Sequence, residues 1–228
     1  MRLNELFEKM GEEISIIFGR FNPPHRGHRA AWEMMSQNKD WYVGTNASTN
    51  GPKDPLPFDI KVKAMKAIYP ELEGHLLSST SWLTMASELY KKHPEARLVV
   101  YTDEDWVIKV LKDYNGVEGK AHGFYDFNQI EQKSTPRLSS ATALRDAVRA
   151  GDRDAFSKAA GIDADTEING KPYFDLVAEY LLPYAEKETA KKKKDESIEE
   201  GCKYGRYYCS TDKKWKCRTG PKQSRKKK

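Results

Sequence analysis

Cysteine is scarce in this chain and sits in the wrong place for a disulfide-held fold. Of 228 residues only three are cysteine, Cys202, Cys209 and Cys217, all within the last 27 positions. No disulfide framework therefore holds the main body, and a reducing, cytoplasmic setting is expected. Long apolar runs are missing as well. No window reaches the roughly 18 consecutive apolar residues of a membrane helix, and the opening MRLNELFEKMGEE carries acids where a signal peptide has its apolar segment. A soluble, unexported protein with no membrane partner follows, and no internal repeat of useful length appears.

A second shortage is less obvious. The formal charge of +5 suggests a basic protein, but residues 186–228 hold 16 Lys and Arg against 7 Asp and Glu, which leaves residues 1–185 with a net charge of −4. The basic character belongs to the tail, so it is no argument that the folded part binds nucleic acid. Division into a domain over 1–187 and a flexible basic tail over 188–228 is expected.

What is present is an alternation. Ile14 to Phe18 is a short apolar, β-branched run ending at Gly19, and it reads as a buried strand. Pro23 and Pro24 extend the next loop before a helix over 27–37. Further strands are expected at 41–45, 75–78, 97–101 and 120–125, with helices at 58–68, 82–92, 103–112, 139–150 and 173–186. Asp103 is placed as the cap of the fourth helix, and Phe58, Trp82 and Trp106 as core or helix-packing residues. Five strands alternating with helices imply an α/β fold, a five-stranded parallel sheet covered on both faces, with ligands beyond the carboxyl ends of the strands.

The segment Gly19-Arg20-Phe21-Asn22-Pro23-Pro24-His25-Arg26-Gly27-His28 joins the first strand to a helix N-terminus. Gly19 clears space for a nucleotide beside the backbone, and the free N–H groups of the helix start suit a polyphosphate. His25 and His28, three apart, project to one side of a first helical turn and can meet charge developing on a phosphoryl group. The same spacing also suits zinc, but no second ligand pair is visible.

This segment resembles the HxGH signature of the nucleotidylyltransferase superfamily. In its GRFNPPHRGH form it is most similar to nicotinamide mononucleotide adenylyltransferases, phage-encoded members included, for which the location would be the host cytoplasm. Ser140-Ala141-Thr142-Ala143-Leu144-Arg145 resembles the second element of that superfamily, S-[SG]-T-x-x-R, in the right order and at a helix start.

The resemblance implies a Rossmann-like fold and transfer of the adenylyl group of ATP to nicotinamide mononucleotide, giving NAD and pyrophosphate. His25, His28 and Arg145 inherit catalytic roles. Gly19, Arg20, Phe21, Asn22, Gly27, Asp103, Ser140, Ala141 and Thr142 inherit nucleotide-binding ones. Mg²⁺ would be carried on the phosphates, with no dedicated protein metal site. Two alternatives stand beside this one: a cytidylyltransferase acting on another phosphorylated small molecule, and an assembly or nucleic-acid-binding protein that reuses the fold. The tail's Tyr204, Tyr207, Tyr208 and Trp215 among basic residues would suit contact with nucleic acid or a larger particle.

Overall fold

The computed structural model describes residues 12–49, 51–135, 138–184, 206–209 and 214–217. Strand β1 (Glu13–Gly19) is followed by α1 (Arg26–Met35), β2 (Asp40–Thr45), α2 (Phe58–Ile68), β3 (Leu76–Ser78), α3 (Trp82–Tyr90), β4 (Arg97–Tyr101), α4 (Asp105–Asp113) and β5 (Ile130–Lys133). Then come α5 (Ala141–Ala150), α6 (Arg153–Ala160), a two-residue hairpin of β6 (Glu167–Ile168) and β7 (Lys171–Pro172), and helix α7 over residues 173–184. The sheet order is β3-β2-β1-β4-β5, every pairing parallel. This is the Rossmann-like α/β architecture expected from the alternation. Order reverses between β1 and β4, the crevice where such sheets bind ligands.

Why both faces are covered is written in the strands. Ile14 and Ile16 of β1, with Leu98 and Val100 of β4, pack against Met85 and Leu89 of α3 and Val107 and Leu111 of α4. Their alternates Ile17, Val99 and Tyr101 face the other way, onto Trp32 and Met35 of α1, Met65 of α2, Leu144 of α5 and Val177 of α7. With a period of two and both sides apolar, each strand must be sandwiched.

One strand lies later in the chain than expected. Residues 120–125 form no strand, because Gly119 and Gly123 turn the chain at φ 72° and 92°. A Cβ on Gly123 would lie 2.2 Å from Ser87 Oγ, so only glycine passes there. The aromatics that suggest a strand anchor a loop instead. The Tyr125 hydroxyl donates to Leu111 O at 2.9 Å, and Asn115 brackets Phe127 through N–H to Oδ1 (2.9 Å) and Nδ2 to O (3.0 Å). The fifth strand begins at Ile130, opposite Leu98.

Helix α4 is also capped differently: Glu104, not Asp103, is the flanking residue, and Asp103 accepts from the Thr135 N–H (3.2 Å) and hydroxyl (3.3 Å). Helix α6 is a helix beyond those expected from the sequence. Asp152 caps it through the Ala155 N–H at 2.8 Å, and Gly151 and Gly161, both left-handed, bound it.

Two compact units emerge, Met1–Leu181 and Leu182–Lys228. In the second, β8 (Arg206–Cys209) and β9 (Lys214–Cys217) pair as an antiparallel hairpin. Cys202, Tyr204 and most of the basic tail lie outside the described residues. Among the described residues no helix is long and apolar enough to cross a membrane.

Candidate active site

The loop after β1 is built to hold two imidazoles still. His25 occupies the N-cap of α1, its Nδ1 accepting the Gly27 N–H at 3.1 Å. The His28 Nδ1 reaches back to accept the His25 N–H at 3.2 Å, which closes a reciprocal capping box. The rings stack at 3.6 Å between centroids. A nitrogen that accepts carries no proton, so in the neutral rings the proton sits on Nε2 of each.

Neutral they are. Burial first, and then Arg145, lowers the His25 pKa to about 4, while burial and the His25 neighbour hold His28 well below the ordinary value. The pair therefore offers two fixed Nε2–H donors at neutral pH without the charge of imidazolium. Gly27 is required by this packing, since a Cβ there would meet the His25 ring at 3.1 Å and Ser139 N at 3.2 Å.

The approach to the pair is equally constrained. Phe21 stands at φ 46°, in the left-handed region, with its ring buried edge-on against His28 (4.9 Å) and Trp32 (5.4 Å). A Cβ on Gly19 would strike that ring at 2.9 Å. Asn22, followed by a cis peptide to Pro23, exchanges hydrogen bonds with the Leu56 backbone at 2.8 and 3.0 Å and so ties the loop to the segment before α2. The buried Tyr173 hydroxyl donates to Pro24 O at 2.8 Å, linking α7 to the same loop.

The second motif docks onto the first. Ser140 caps α5 through the Ala143 N–H at 3.1 Å. Arg145, one turn on, donates to Thr142 Oγ1 (3.1 Å), Asn22 O (3.3 Å) and Lys53 O (3.4 Å). Arg26 donates to Leu138 O at 2.8 and 3.2 Å, a further strut between the motifs. Segments 112 residues or more apart are thus brought to one place.

Between them lies a polar cavity of about 310 Å³ lined by Gly19, Arg20, Phe21, Asn22, His28, Lys53, Asp54, Ala141, Thr142 and Arg145. Eight of these were expected from sequence. Lys53 and Asp54 were not; the only signal was their position in a Gly/Pro/Asp loop after β2. Four expected residues stand outside the lining: His25 and Gly27 behind His28, Ser140 at the helix cap, and Asp103 on Thr135. Among the described residues the Asp54 carboxylate is buried without a hydrogen-bond partner, and Arg20 Nη1 lies 3.6 Å from its Oδ2. Below it Lys61, also buried, donates to Thr45 Oγ1 (2.9 Å) and Asn46 O (2.5 Å), and burial lowers its pKa to about 8 against the opposing pull of Asp54.

Gly19 and Arg20 also border a second cavity, of about 530 Å³, over the β1 and β4 ends. It is mainly apolar, lined among others by Phe18, Trp82, Leu83, Trp106 and Val107, with Glu104 at its wall. Trp106 was expected in the core, but it is 58% exposed, and its Nε1–H is held by Glu104 at 3.0 Å. Among the described residues no group of three or more His, Cys, Asp or Glu is placed to hold a metal ion by itself.

Fold and site together describe a Rossmann-like α/β protein with a polar cavity between its two motifs. No family model matches the chain. The chain is 28% identical over 110 residues to a Ruegeria pomeroyi protein named "Probable nicotinate-nucleotide adenylyltransferase", a match covering 43% of this chain and 51% of the relative. The chain thus spans about half the length of the curated relative it matches. A Vibrio parahaemolyticus structure assigned as a nicotinate-nucleotide adenylyltransferase superposes with a TM-score of 0.42 at 19% identity, covering 75% of this chain and 98% of that one. A bifunctional NMN adenylyltransferase/ADP ribose pyrophosphatase from Francisella tularensis gives 0.43 at 13% identity, covering 75% and 50%. The expected similarity to nucleotide adenylyltransferases is borne out by the sequence match to the Ruegeria protein.

Proposed function

We propose that this chain transfers the adenylyl group of ATP to nicotinamide mononucleotide, with pyrophosphate as the leaving group. The observation that carries the reading is the capped histidine pair, whose Nδ1 atoms are spent on backbone N–H groups. This leaves the Nε2–H of His28, which lines the cavity with Arg145 and Thr142, for a phosphoryl oxygen, while His25 stacks on His28 and holds it in place. Donors held in advance where charge develops stabilise the transition state more than the ground state.

In this reading the triphosphate lies in the polar cavity. Arg145, Thr142 and the N-terminus of α5 meet the β- and γ-phosphates, and His28 meets the α-phosphate with His25 stacked against it. The acceptor phosphate attacks the α-phosphorus directly, the bond to the β-phosphate oxygen breaks, and no covalent enzyme intermediate forms. Mg²⁺, when carried on the phosphates, would supply charge compensation for the departing pyrophosphate. The acceptor's ring occupies the apolar cavity, which meets the polar one at Gly19 and Arg20.

Glu104 favours the amide form of the acceptor over the acid. A carboxylate in the wall repels nicotinate and accepts from an amide NH₂. The nicotinate form is the second reading, because the Ruegeria and Vibrio proteins carry that name. Pyrophosphate release, measured for purified protein with ATP or CTP against the mononucleotides of nicotinamide and nicotinate, tests both choices. ATP with the nicotinamide acceptor is expected to be fastest. A preference for CTP defeats the donor assignment, and a preference for nicotinate defeats the role given to Glu104.

A further inference from the structure

An anion at the wall of a polyphosphate cavity needs explanation. Asp54 is 1% exposed, and among the described residues neither carboxylate oxygen has a hydrogen-bond partner, although buried carboxylates ordinarily collect several. The nearby cations do not satisfy it. Lys61 is committed to Thr45 and Asn46. Arg145 is committed to Thr142 and two carbonyls. Arg20 lies at 3.6 Å, beyond hydrogen-bond range, on a side chain that is 61% exposed. Arg20 is therefore a loosely held cover over Asp54.

On its own such a carboxylate repels a triphosphate, and the repulsion turns to attraction only when a cation stands between them. Mg²⁺ suits that place, since it retains water and is typically held by one or two carboxylates plus substrate phosphates. We infer that Asp54 is the protein's point of attachment for the divalent cation that enters with the triphosphate, Arg20 leaving the carboxylate for a phosphate as the nucleotide binds. The inference rests on the functional reading above, which supplies the triphosphate. It adds a residue that neither motif contains. Among the described residues no group of three or more His, Cys, Asp or Glu is placed to hold a metal ion, so the phosphates supply the remaining ligands and the ion arrives with the nucleotide.

The test is calorimetric titration of a non-hydrolysable α,β-methylene ATP analogue into three forms of the full chain: wild type, Asp54→Asn, and Asp59→Asn as a control acid exposed on α2. Each is titrated with chelator and then with Mg²⁺. Mg²⁺ is expected to tighten wild-type and Asp59→Asn binding about tenfold and Asp54→Asn binding less than about threefold, a coupling within the usual range between linked ligands. Metal-free affinity of Asp54→Asn should equal or exceed that of wild type, because a repelling charge has gone. Asp54→Ala provides the same comparison should the asparagine variant unfold, as judged by its thermal melt. Retention of the full tenfold effect in the substituted protein overturns the inference and leaves the functional reading intact. Failure of wild type to bind the analogue with or without Mg²⁺ overturns both.

Discussion

Replacing His25 by alanine should reverse the order of stability between mutant and wild type as pH falls. At pH 7 the substitution removes the N-cap acceptor of α1 and the ring stacked on His28, a loss of about 1.5 kcal/mol by the usual value of such caps with some packing added. Burial holds the folded-state pKa at about 4 against 6.5 unfolded. A depressed histidine pKa means the unfolded chain takes up protons first. Stability from this source is therefore fully present above pH 6.5 and is lost as pH falls from 6.5 toward 4. Integration to pH 4.5 gives a loss of about 2–3 kcal/mol in wild type that the alanine variant does not suffer. The two curves should cross between pH 5 and 6, with the variant more stable by about 1 kcal/mol at pH 4.5. Urea unfolding of both proteins at half-unit steps from pH 7 to 4.5 measures this, and carboxylate titrations common to both cancel in the difference. A difference that stays constant across the range refutes the neutral, buried assignment of the pair.

Three further outcomes follow from the same geometry. His28→Ala should lower turnover about a hundredfold or more while ATP affinity falls less, whereas Arg145→Ala should weaken both, as separate kinetic and calorimetric measurements would show. Gly19→Ala, whose Cβ would strike the Phe21 ring at 2.9 Å, should displace that ring from His28 and weaken nucleotide binding at least tenfold by titration. A chain ending at Glu188 should keep full turnover, since every candidate site residue precedes it, and any nucleic-acid affinity present in the full chain should vanish with the tail and, before removal, fall steeply with salt in a filter-binding assay.

The first strand, its loop and α1 were legible because the apolar run stops at Gly19 and the HxGH spacing marks a helix start. Ser140 to Arg145 was legible for the same reason: a capping serine followed by a regular amphipathic helix. The fifth strand was not, since residues 124–127 have strand-like aromatics whose role as loop anchors depends on Asn115 and Leu111, contacts that local pattern does not encode. Helix α6 escaped because it is short and mostly small or polar, its stability coming from Phe156 packing against Tyr173 and Phe174. Lys53 and Asp54 were invisible as site residues because they reach the cavity only through the return of the β2 loop, pinned by Asn22 to Leu56. Nor does the motif itself reveal which histidine nitrogen carries the proton. That follows from the two backbone N–H groups the rings accept.

The central claim is that the cavity between the two motifs joins a nucleotide to a phosphorylated acceptor. Chromatographic quantitation of the dinucleotide formed from ATP and nicotinamide mononucleotide, alongside pyrophosphate in the same reaction, tests it most directly. The two products are expected in equal amounts with the full chain and Mg²⁺, and both reduced together about a hundredfold or more in His28→Ala. Phosphate or pyrophosphate released without dinucleotide, or equal yields from wild type and His28→Ala, would contradict it.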